Sequence, residues 1–274
     1  MIPRNYITEW RSEAPWIQDA QVEQDLILSR ALVELFSAAE IREAIAFRGG
    51  TALYKLYLRP AARYSEDIDL VQSAAAPIGN VLDAMRARLD PWLGEPRRTL
   101  KEGRVVLQYR MQAEGPPPLP IRLKIEINSR EHFSVFELVE HQFAVQSGWF
   151  SGEAPIKTYQ LDELMGTKLR ALYQRKKGRD LFDLWTAQRA ARLDPERVIA
   201  CFERYLEEGG QRVRRAEFEA NLASKLADTA FTQDIEPLLA PTIQWDVEEA
   251  ARFVREELLV RLRGEPWKGA DGGA

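Results

Sequence analysis

The sequence predicts an α+β fold, a mixed β-sheet with flanking helices followed by a helical C-terminal part. Three observations carry that expectation. Residues 121–128 alternate apolar and polar with period 2, as a half-buried strand does. Residues 104–111 form a second β-rich run, separated from the first by Glu114-Gly115-Pro116-Pro117-Pro118, a stretch that cannot continue a ladder. After about residue 158 the patterning becomes helical.

Taken in order, residues 16–47 read as one helix, with Val22, Leu26, Leu28, Leu32, Val33, Leu35 and Phe36 at helical spacing. Gly49-Gly50 interrupts it, and a short helix over 51–58 ends at Pro60. A strand is expected at 67–71, a helix at 77–93 and a short strand at 142–145. Helices follow at 161–173, 181–191, 195–206, 216–230 and 247–262. Gly148, Gly152 and Pro155 mark a boundary, so the expected division is an α+β core over 1–155, a helical domain over 156–263 and a flexible tail over 264–274.

Composition narrows the chemistry. A single cysteine, Cys201, excludes an internal disulfide, and with only His132 and His141 a zinc site is not expected. No run approaches the ~20 apolar residues of a membrane span, and the N-terminus lacks an apolar signal core, so a cytoplasmic protein is expected. Net charge is −4, so any nucleic-acid contact must rest on local runs such as Arg97-Arg98, residues 175–179 or Arg212-Val213-Arg214-Arg215. Such runs serve equally as solvated helix faces.

The informative block lies between Phe47 and Leu70. Gly49-Gly50-Thr51 precedes a helix start, where exposed backbone N–H groups and the helix dipole favour a triphosphate. Asp67-x-Asp69 falls in a strand, and residues two apart share a face. Two carboxylates on one face repel unless a cation lies between them, and Mg²⁺ (or Mn²⁺) suits such oxygen donors. A third carboxylate, Glu126, sits mid-strand with Lys124 and Asn128 on its face and would complete a two-metal site. The alternatives are a strand end facing water for the aspartates, and an ion pair with Lys124 or Arg122 for Glu126. Further on, Lys168 lies on an amphipathic helix and could meet a phosphate as a point charge. Asp180 and Asp183, three apart, share a helix face. They read either as lining a nucleotide cleft or as helix-terminal charges paired with Arg175 or Arg179.

The motif Gly49-Gly50-Thr51-Ala52-Leu53, then Arg63-x-Ser65-x-Asp67-x-Asp69, resembles the first motif of the AbiEii/AbiGii-type (MenT-like) nucleotidyltransferase toxins of the DNA polymerase beta superfamily. Lys168 through Arg175 to Arg179-Asp180-x-x-Asp183 resembles their later motifs, and the likeness covers roughly residues 40–190. It implies a nucleotidyltransferase-type sheet and a metal at Asp67, Asp69 and Glu126. It implies nucleotide binding by Gly49, Gly50, Thr51, Ser65, Lys168 and Asp180, with Asp183 completing the cleft. It also implies transfer from a nucleoside triphosphate to RNA, notably a tRNA 3′ end, and an antitoxin partner. The basic residues 175–179 are then the expected acceptor contacts. Rival expectations are nucleotidylation or phosphorylation of a protein, and a non-catalytic nucleotide-sensing module.

Overall fold

A computed structural model describes residues 2–101, 103–115 and 117–269. The chain divides into two compact units, residues 1–159 and 160–274. Residues 270–274 of the expected tail lie outside the described residues.

The first unit begins with helices α1 (Arg4–Trp10), α2 (Asp19–Phe36) and α3 (Ala39–Ala44). Strand β1 (Ile45–Arg48) runs into α4 (Gly49–Ala52), which continues as a π-type turn over Leu53–Tyr57. Then come β2 (Asp67–Gln72), α5 (Gly79–Leu93), β3 (Arg97–Lys101), β4 (Arg104–Gln112), β5 (Pro120–Asn128), β6 (Val139–Gln146) and β7 (Ser151–Thr158). The strands form one seven-stranded mixed sheet in the order β3-β4-β5-β2-β1-β7-β6. β2 pairs parallel with β5, β1 touches β7 in parallel at Phe47↔Thr158, and the other neighbours are antiparallel.

The alternation seen in the sequence becomes two faces. Ile68 and Leu70 of β2, Val105, Leu107 and Tyr109 of β4, and Leu123, Ile125 and Ile127 of β5 are buried. They form the core with α2 and with Leu82, Met85 and Leu89 of α5. The intervening residues make a polar face.

The expected helix over 16–47 is corrected. It ends at Phe36, and Ile45-Ala46-Phe47 is a buried central strand. A run of three apolar residues fits either period, and only its neighbours β2 and β7 decide. The helix expected at 51–58 starts instead at Gly49. Strands β3 and β7 carry no legible signal. β3 is Arg-Arg-Thr-Leu-Lys at a sheet edge, where charge replaces alternation. β7 contains Gly152 and Pro155, tolerated because β1 meets it at a single position.

The second unit is helical: α6 (Leu161–Gln174), α7 (Gly178–Ala190), α8 (Pro195–Glu208), α9 (Arg215–Leu226), α10 (Thr229–Thr232) and α11 (Val247–Phe253). The helix expected over 216–230 breaks because the Asp228 side chain caps α10, accepting from Ala230 N at 2.7 Å. Asp194 caps α8 with Pro195 at its first position. α6 and α8 meet at Gly166, where a β-carbon would lie 2.4 Å from Cys201 Cβ and 2.9 Å from the Val198 carbonyl oxygen. The Trp267 N–H donates to Glu219 at 2.7 Å.

Candidate active site

Residues paired across neighbouring strands point to the same face. The registers Arg48↔Asp69, Asp69↔Glu126 and Asp67↔Lys124 therefore gather Arg48, Asp67, Asp69, Lys124 and Glu126 on the polar face. All five are partly exposed.

The β1–α4 turn closes on this group. Gly49 adopts φ +84°, and a β-carbon there would lie 2.3 Å from Asp69 Oδ2. Only glycine allows both the left-handed backbone and that approach. A β-carbon on Gly50 would lie 2.3 Å from Nη2 of the buried Arg63 and 3.3 Å from Ser65 Oγ. Thr51 Oγ1 donates to the Asp67 carbonyl at 2.5 Å. Its one proton is thereby used, so Ser65 is the donor in the 2.8 Å Ser65–Thr51 hydroxyl contact. Thr51 is thus a buried strut joining the glycine turn to the start of β2.

Lys124 Nζ lies 3.0 Å from Glu126 Oε2 and 3.3 Å from Asp67 Oδ2. Partial burial works against the Lys124 charge, but Asp67 and Glu126 outweigh it and raise its pKa. Glu126 also receives Arg104 Nε at 3.1 Å. Two cations therefore engage Glu126, and among the described residues no three His, Cys, Asp or Glu side chains converge into a metal cluster. Asp67 and Asp69 remain as a pair. The protein's own ammonium beside Asp67 shows that the site accepts positive charge, and its hard oxygen donors fit a divalent cation. Arg48 lies beside Asp69 and holds Glu131 at 2.6 Å.

Sequence reasoning gave no role to Arg104, placed the buried Arg63 only in the motif, and named Lys124 only as the ion-pair alternative for Glu126, a contact that is present. Lys124 was visible as a face-mate of Glu126. Arg104 joins Glu126 through pairing of β4 with β5, which no local pattern announces.

In the second unit, Lys168 Nζ lies 2.7 Å from Asp183 Oδ2 and 3.4 Å from Asp180 Oδ1, both aspartates being fully buried. Arg175 grips Asp180 through Nε and Nη2, each at 2.7 Å. Two cations thus balance two carboxylates. The rest of the basic run is also engaged: Lys176 with Asp228, Lys177 with Asp234 at 3.3 Å, and Arg179 with Asp234 at 3.5 Å. Each cation of the run at 175–179 thus has a carboxylate partner within its own unit.

The family model described as "Nucleotidyl transferase AbiEii toxin, Type IV TA system" matches residues 30–252. The chain belongs to this family. AbiEii proteins are nucleotidyltransferase toxins, so an NTP substrate and an antitoxin partner follow. Nucleotidyltransferases in general use divalent metal ions. Among solved structures, the chain is similar to MenT4, a nucleotidyltransferase toxin of Mycobacterium tuberculosis, at 18% identity and a TM-score of 0.66, covering 96% of this chain and 91% of that one. An antigenic nucleotidyltransferase-like protein of Paracoccidioides brasiliensis matches at 16% identity with a TM-score of 0.39, covering 74% and 92%. No curated protein matches significantly. Among the described residues no helix is long and apolar enough to cross a membrane.

Proposed function

We propose that this AbiEii-family toxin transfers an NMP unit from an NTP to the 3′-hydroxyl of an RNA, with tRNA the first candidate, in the cytoplasm. The observation that carries the reading is the pair Asp67 and Asp69 on one sheet face, with the Gly49 backbone packed against Asp69. Asp67 and Asp69 hold the metal, Mg²⁺ or Mn²⁺, and Glu126 is the adjoining third carboxylate. When bound, the metal supplies charge that polarises the α-phosphate and neutralises the pyrophosphate leaving group.

The chain's own groups do the rest. The Gly49–Gly50–Thr51 turn, braced by Ser65, presents backbone N–H groups to the triphosphate. The acceptor oxygen attacks the α-phosphorus, the bond to the β-phosphate oxygen breaks and pyrophosphate leaves. The acceptor proton passes to solvent or to Glu126.

Incubation with α-labelled NTPs and either total tRNA or total protein tests the acceptor. Label on tRNA is expected. Label confined to protein replaces the RNA reading by protein nucleotidylation.

A further inference from the structure

The polar face of the sheet continues beyond the carboxylates. β4 pairs with β5 and β3 with β4 in registers that bring Arg97, Lys101, Arg104, Arg110, Arg122 and Lys124 onto the face of Asp67 and Asp69. These six cations are scattered over 28 sequence positions and form no run. Crossing from β2 through β5 and β4 to β3 covers about 14 Å at the usual strand spacing, and along it the charge changes from acidic to basic.

Arg104, Arg122 and Lys124 have carboxylate partners, while Arg97, Lys101 and Arg110 are exposed and, among the described residues, have none. Sheet edges often carry lysine or arginine to prevent strand addition. That accounts for β3 and for Arg110, which lies past the last β3–β4 pair at Arg97↔Gln108, but not for Arg122 on β5, between β4 and β2 in the sheet order. In a chain with net charge −4, this concentration on one face needs a polyanion to explain it.

We propose that this face is the acceptor platform: the phosphate backbone of a single-stranded RNA segment lies across β3, β4 and β5, held by Arg97, Lys101 and Arg110, with its 3′ end directed to Asp67 and Asp69. The inference rests on the proposed nucleotidyl transfer and replaces the basic run at 175–179, whose charges are already paired.

The test measures binding of a fluorescein-labelled single-stranded RNA to the full chain against salt. The variant Arg97→Ala/Lys101→Ala/Arg110→Ala should bind about tenfold or more weakly. Its log affinity–log salt slope should fall by about 2, at roughly 0.7 for each phosphate that is no longer neutralised. Lys176→Ala/Lys177→Ala should change affinity less than about twofold. Thermal melting of each variant shows whether the fold survives, which exposed sites allow. An unchanged slope in a folded triple variant, or weakened binding confined to the Lys176/Lys177 variant, overturns the platform.

Asp69→Asn separates the two claims, because it should lose transfer and keep RNA binding. Transfer to protein with no RNA binding overturns the platform and leaves nucleotidyl transfer standing. Face-dependent RNA binding by a wild type that transfers no NMP supports the platform and removes the transfer reading.

Discussion

The backbone of Gly49 passes so close to Asp69 that a β-carbon there would lie 2.3 Å from the carboxylate oxygen. The contact couples the turn proposed to hold the triphosphate to the strand proposed to hold the metal. Gly49→Ala must relieve both the clash and a left-handed backbone worth about 1–2 kcal/mol. Activity should fall at least about a hundredfold in a labelled-NMP transfer assay, with a melting temperature lowered by only a few degrees. Near-normal transfer would show that the turn and strand are not coupled in this way.

Thr51 reaches the same strand from the other side of the turn. Thr51→Val leaves the Asp67 carbonyl and the Ser65 hydroxyl without this partner, at a cost of about 1–2 kcal/mol. Thr51→Ser should restore most of the stability. Denaturant midpoints of the three proteins check this, and a loss in the Ser variant with none in the Val variant would assign the effect to the methyl group.

Much of this was legible in the sequence, but unevenly. β5 announced itself because one of its faces is core and the other is polar. Asp67 and Asp69 were legible because a period of 2 fixes their common face. β1 was hidden inside a helical pattern, since its burial on both sides erases alternation. The pairing of Glu126 with Arg104 depends on the β4–β5 register, and the basic face depends on three registers at once. A run of charges is easy to see in sequence, yet the run at 175–179 is internally paired while the dispersed cations converge.

Lys124 stands between Asp67 and Glu126 as a resident cation. Lys124→Met should therefore tighten Mn²⁺ binding, by roughly tenfold or about 1.4 kcal/mol. It should also lower the metal-free melting temperature, because the carboxylates then repel unopposed. Calorimetric titration of Mn²⁺ into both proteins measures the first effect, and weaker binding in the variant would show that Lys124 helps rather than competes.

Lys225 donates to the last carbonyls of α6, Leu172 O and Tyr173 O. Burial disfavours its charge more than Asp180 supports it, and its pKa is lowered to about 8. Between that value and the ordinary lysine pKa of about 10.4, the unfolded chain holds the extra proton, so stability rises with pH across this window. Unfolding of wild type and Lys225→Met, compared at about pH 7.5 and about pH 10, should show the wild type gaining relative to the variant. The opposite trend would mean that the ammonium is favoured where it sits.

Cys201 is buried against Gly166, and burial, reinforced by Glu163, pushes its thiol up to about 12. A thiol reagent at about pH 8 should leave it untouched in the folded protein and titrate one thiol after unfolding. Rapid native labelling would contradict the close α6–α8 packing.

The central claim is that Asp67 and Asp69 organise metal-dependent nucleotidyl transfer. Its most direct test follows α-labelled NTP incorporation into total tRNA by wild type and Asp69→Asn, each with Mg²⁺ and with excess chelator. Incorporation is expected from the wild type with Mg²⁺, and a loss of about a thousandfold or more in the variant and under chelation. Undiminished incorporation by a folded Asp69→Asn protein, or by the chelated wild type, would contradict it.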